Sequence, residues 1–162
     1  MADALILRFT RISPDTHRFE YVRSDGSGEA LELETRSFLL HDLLHFALES
    51  EAGLRGSFYG LLAKVGGYAE LSVNGGAALG GEIAITERVV GMLTGALKTE
   101  PLDAEAFVAE ARDYLSLFDE RPPRWLTPAF ALAVQERMRA LEGRWRATPF
   151  GETMELSFPL AR

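Results

Sequence analysis

The chain has no cysteine, two lysines (Lys64 and Lys98) and no apolar run near the roughly 20 residues that a membrane-spanning helix needs. Without cysteine there are no disulfides, thiolate zinc sites, iron–sulfur clusters or cysteine nucleophiles, so any metal site must use imidazole and carboxylate. A formal net charge of −7 and a pI near 5.0 repel phosphate backbones at long range, so no nucleic-acid partner is expected. No membrane partner is expected either. The first residues place Asp3 early and break a short apolar run at Arg8, unlike a basic segment leading into a long apolar one, so the chain reads as unexported and cytoplasmic.

What is present suffices for one core. With 162 residues, 47% of them hydrophobic, residues 1–162 are expected to form a single domain without covalent staples. Leu5, Leu7 and Phe9 alternate with more polar neighbours, the period of a strand with one face on the core. The pattern repeats over His17 to Arg23 and Glu29 to Thr35, around Ser24-Asp25-Gly26-Ser27-Gly28, a sequence suited to a tight hairpin. Phe19, Tyr21, Leu31 and Leu33 should then face inward.

The period becomes helical near Ser37. Thr35 or Ser37 is expected to cap a first helix ending near Gly53, and a second helix covers Ser57 to Val65. Gly66 to Gly81 reads as a glycine-rich loop with a short strand at Glu70 to Val73; it lacks the lysine and spacing of a phosphate-binding loop. A third helix starts between Glu82 and Thr86 and ends near Leu97. A fourth begins around Asp103, with Phe107, Ala111, Tyr114, Leu115 and Phe118 on its apolar stripe. Thr127-Pro128 opens a fifth, with Phe130, Val134, Met138 and Leu141 as its stripe and Gly143 as its stop. Trp145 and Ala147 then read as extended, before a turn at Pro149-Phe150-Gly151 and a strand holding Met154, Leu156 and Phe158. Strands at both ends and helices between predict an α+β fold: an antiparallel sheet of the N-terminal strands and the C-terminal strand or strands, covered by about five helices.

The chemistry concentrates in the first helix. His41, Asp42, His45 and Glu49 share one arc of it, and the arc carries no Lys, Arg or Gln of the kind that usually solvates an exposed face. His41 and His45 lie one turn apart on the same side, a spacing that offers two imidazoles to one divalent cation such as zinc or manganese. Glu49 lies about 12 Å along the axis from His41 at roughly 1.5 Å per residue. On an unbroken helix it is therefore better suited to orient His45 than to share an ion with both histidines. Asp42 and Glu49 are both further candidates as ligand, orienter or general base, Glu49 as a ligand only on a strongly bent helix. A third ligand must come from elsewhere: Glu87, Glu82 and the acids near Asp103 are the candidates.

The His41-Asp42-Leu43-Leu44-His45 run shares its histidine spacing with the H-E-x-x-H pattern of zincins, with aspartate in place of the catalytic glutamate. It is also similar to the H-D-x-x-H metal motif of a ubiquinone-biosynthesis family. That pattern continues to a glutamate farther on, where this chain has Ser57, and its mostly helical architecture differs from the strands read here. Two functional expectations follow. In one, the chain binds a divalent metal and, if catalytic, hydrolyses a small ester, amide or phosphate with metal-activated water. In the other, it is a non-enzymatic binding or homodimeric assembly module whose histidines only pack.

Overall fold

A computed structural model of the chain describes residues 3–64, 66–72, 80–98 and 101–160. Strands β1 (Ala4–Arg11), β2 (Thr16–Val22), β3 (Gly28–Glu34) and β4 (Thr153–Pro159) form one antiparallel sheet in the order β3-β2-β1-β4. Leu7 pairs with both Tyr21 and Leu156, and Phe9 with both Phe19 and Met154, so the apolar positions of three strands lie in rows on one face. Leu31 and Leu33 continue that face on the edge strand β3, where they are half-buried. The other face is polar, with Arg8 bonded to Glu20 and Glu155 across neighbouring strands. Thus the two ends of the chain share a single sheet, as the alternation predicts.

Six helices cover the apolar face among the described residues: α1 (Thr35–Ala52), α2 (Phe58–Leu62), α3 (Tyr68–Ser72), α4 (Gly81–Ala96), α5 (Ala104–Ser116) and α6 (Pro128–Ala147). Helix α1 lies at the centre. Every residue from Asp42 to Glu49 is buried, because the sheet, α2, α4 and α6 surround it. A helix enclosed on all sides needs no polar face, so its ionisable arc points into protein. It ends at Gly53, whose φ of 68° is the left-handed conformation that glycine adopts without a Cβ penalty.

Several local expectations are corrected. Neither Thr35 nor Ser37 caps α1: the cap position is Glu34, and the Ser37 hydroxyl donates to its carboxylate at 3.0 Å. The strand expected at Glu70 to Val73 is helix α3 as far as Ser72, Val73 lying outside the described residues. Tyr68 and Leu71, three apart, both turn into the core, and this helical spacing overrides the weak two-residue alternation. Val65 and residues 73–79 of the glycine-rich stretch also fall outside the described residues.

Asp103 caps α5 by accepting from the Ala106 N–H, but Tyr114 and Phe118 lie toward solvent, and the buried stripe is Phe107, Ala111 and Leu115. Helix α6 starts as expected, with the Thr127 side chain accepting from the Phe130 N–H and proline in the first turn. It does not stop at Gly143. Trp145 falls four residues after Leu141 on the buried stripe, and Arg144 and Arg146 complement the helix dipole at the C-terminal end. Trp145 and Ala147 are therefore helical, and the turn follows, with Gly151 at φ 86°.

Candidate metal centre

The histidines of α1 are set by hydrogen bonds on one side of each ring. His45 Nδ1 lies 2.8 Å from Glu49 Oε2, and His41 Nδ1 lies 3.2 Å from Asp42 Oδ1. A carboxylate only accepts, so both Nδ1 atoms carry protons and both Nε2 atoms are left to face elsewhere. They face Glu87, which α4 brings across from α1. His45 Nε2 is 3.3 Å from Glu87 Oε1, and His41 Nε2 is 3.8 Å from Glu87 Oε2. The two imidazole centroids are 4.6 Å apart. Among the described residues, His41, His45 and Glu87 each place one donor atom within 4.8 Å of the others.

The remaining acids have separate places. Asp42 and Glu49 sit on the Nδ1 sides of their rings, away from the gap between the Nε2 atoms and Glu87. Glu82 accepts from the buried Ser57 hydroxyl at 3.1 Å, and Asp103 is occupied as the α5 cap. Ser57 also shares a 2.9 Å hydrogen bond with Thr86.

Two tyrosines hold the orienting carboxylates. The Tyr68 hydroxyl donates to Asp42 Oδ2 at 2.6 Å, and the Tyr59 N–H donates to Glu49 Oε1 at 2.9 Å. The Tyr59 hydroxyl also reaches the Asp42 carbonyl at 2.7 Å, tying α2 to the same turn of α1. Burial first, and then Asp42, raises both phenol pKa values, so both tyrosines act as neutral donors. Sequence reasoning passed over these residues. Tyr68 stands in the glycine-rich stretch, and its only signal there is an aromatic residue with no strand to belong to.

The electrostatics match the geometry. Burial disfavours charge on His45, but Glu49 and Glu87 on either side outweigh it and raise its pKa to about 10. His41 moves upward too: burial opposes it, while Asp42 and Glu87 prevail. Burial would raise Glu87, yet the two imidazoles bring it down to about 2. For Glu49, full burial pushes the carboxyl up, against the pull of His45 and the Tyr59 N–H. Carboxylates thus face both rings, His45 fully buried and His41 half-buried, and a doubly charged cation in the gap would take over the role of positive charge there.

The pair His45 Nε2 and Glu87 Oε1 is peculiar. Both atoms are buried, and neither has a hydrogen-bond partner, although they lie 3.3 Å apart. The oxygen sits off the ring's donor direction. Buried polar atoms are seldom left unsatisfied, and a site shaped for an ion is one standard explanation. For metal bonds of 2.0–2.1 Å in a tetrahedron, the separation between two donors is about 3.3 Å.

No protein-family model, no curated protein and no solved structure matches this chain. No helix among the described residues is long and apolar enough to cross a membrane.

Proposed function

We propose that His41, His45 and Glu87 hold one divalent cation, zinc or manganese, and that the protein is a metal-dependent hydrolase of a small ester, amide or phosphate. The observation that carries the reading is the unsatisfied buried pair His45 Nε2 and Glu87 Oε1, spaced as two ligands of one ion. Two imidazoles and one carboxylate leave a coordination position for water, the pattern of a catalytic rather than a closed structural zinc site. Bound there, the ion would lower the pKa of that water and supply the nucleophile. Asp42 and Glu49 serve as orienting groups that keep the Nε2 lone pairs on the metal, with Tyr68 and Tyr59 behind them. Neither is free to act as general base, since each carboxylate already joins a histidine to a tyrosine.

One observation favours the packing module instead: His45 has Glu49 2.8 Å from Nδ1 and Glu87 3.3 Å from Nε2, so a protonated imidazole could lie between the two carboxylates with no ion needed. Metal analysis of protein purified without a histidine tag decides between the readings. A hydrolase centre should carry about one zinc or manganese per chain, and a chelator should lower its melting temperature. Protein that contains no metal, and whose melting temperature is indifferent to both chelator and added zinc or manganese, leaves the packing module.

A further inference from the structure

Glu87 belongs to two features at once. Its carboxylate faces the histidines, and its side chain also lines a hollow of about 510 Å³ between α4 and α5, together with Arg88, Gly91, Met92 and Tyr114. Residues 87, 88, 91 and 92 form one patch of α4, since positions three and four apart are neighbours on a helix. Tyr114 comes from α5, where it stays 37% exposed, edge-on to Phe118 at 5.3 Å. Arg88 is the cation of the hollow. It is paired with Glu120 and lies over the Phe118 ring at 3.9 Å, so its charge is already met.

Gly91 is the unusual member. It lies inside α4, where glycine is less favourable than alanine. No packing contact demands it: a Cβ built there meets nothing within 4 Å. What its lack of a side chain does is leave the hollow open one helical turn from Glu87.

Resting on the metal-centre reading, we propose that this hollow seats the flat, uncharged aromatic part of a ligand whose polar head binds the ion held by His41, His45 and Glu87. Tyr114 supplies an aromatic surface and Met92 a polarizable thioether, both suited to a ring. The paired Arg88 leaves no charge for an anionic tail to meet. Gly91 is then a specificity-determining position that decides how large a group fits.

The test uses cobalt-loaded protein and two hydroxamates with the same chelating head, acetohydroxamate and benzohydroxamate. The ring should tighten binding by about tenfold, equivalent to about 1.4 kcal/mol. Gly91→Leu, on an exposed helix face, should erase that preference while leaving acetohydroxamate binding and cobalt content unchanged. Gly91→Ala should reduce the preference only in part. Equal binding of the two probes by wild-type protein, or a preference that survives Gly91→Leu, overturns the inference while the metal centre stands. Protein that takes up no cobalt overturns the metal centre itself and the inference with it.

Discussion

His17 and His45 are both sealed from solvent, one on the sheet and one on the central helix, and their surroundings drive the two rings in opposite directions. His17 lies among aromatic side chains, stacked on Phe9 at 6.2 Å and edge-on to Trp145 at 6.0 Å. Its Nδ1 shares a 3.0 Å hydrogen bond with the Thr35 hydroxyl, and its Nε2 has no partner. Burial is the first cause of its lowered pKa, with the charge of Asp42 opposing. His45 has carboxylates at both nitrogens and is raised. The same side chain at the same depth lies among aromatic rings in one place and between two carboxylates in the other, so burial alone does not identify a site. Partners do.

Substitution should expose the largest difference. At a free metal concentration of about 100 times Kd, wild-type protein should gain about 2.7 kcal/mol of stability. His45→Ala or Glu87→Gln should lose nearly all of that gain, and the double variant should lose little more, because the ligands act as one unit. His17→Ala should destabilise by about 1–3 kcal/mol through lost packing, with the metal gain intact. Chemical denaturation of each variant with zinc and with chelator measures both quantities. A metal gain that persists in His45→Ala would erase the distinction between the two histidines.

A smaller effect belongs to the orienting acids. Glu49→Gln and Asp42→Asn keep shape and remove charge, and each should weaken metal affinity by about 10–100-fold without abolishing it. His17 has no such partner. Replacing Thr35 with valine should leave metal affinity where it was, as competition with a chromophoric chelator would measure.

The pH dependence of the metal-free protein sharpens the contrast through its sign. For His17, the unfolded chain takes up a proton near pH 6.5 while the folded state resists, so its share of stability is present above 6.5 and is lost as pH falls toward the lowered folded value. For His45 the share is complete below 6.5 and is lost as pH rises toward about 10. In chelator, His17→Phe should therefore flatten the acid side of the stability profile, and His45→Gln the alkaline side. Added metal should restore stability on the alkaline side, because binding requires a deprotonated Nε2. If both variants flatten the same side, the two rings are not held as described.

Physical scale explains what was legible in the sequence. Two-residue alternation identified the strands, and the Thr127-Pro128 cap identified α6, because these signals are local. The helical spacing of His41 and His45, and the reach of Glu49 to His45 alone, were also readable from helix geometry. Glu87 was one candidate among several, since its selection depends on how α4 crosses α1, which no local pattern encodes. Tyr59 and Tyr68 were invisible for the same reason. Their roles are tertiary, carried by residues 17 and 26 positions from Asp42.

The smallest expected effect lies at Gly143, where the sequence pattern predicts a stop and the helix runs on to Ala147. Its φ is not positive and a Cβ built there meets nothing within 4 Å, so the native backbone needs no glycine. Two residues later, Trp145 presents its ring to His17. If α6 holds Trp145 simply as a continuous helix, Gly143→Ala should stabilise by about 0.4–1 kcal/mol by narrowing the unfolded ensemble. That corresponds to a rise in melting temperature of about 1–4 °C for a chain of this size. Gly53, held at φ 68°, supplies the opposite case: alanine there should destabilise, since the left-handed cap strains any Cβ. Metal affinity should not change with Gly143→Ala, because a Cβ there meets nothing within 4 Å and so touches no residue of the cluster. A drop in melting temperature would mean instead that Gly143 relieves a bend on which the contact between Trp145 and His17 depends.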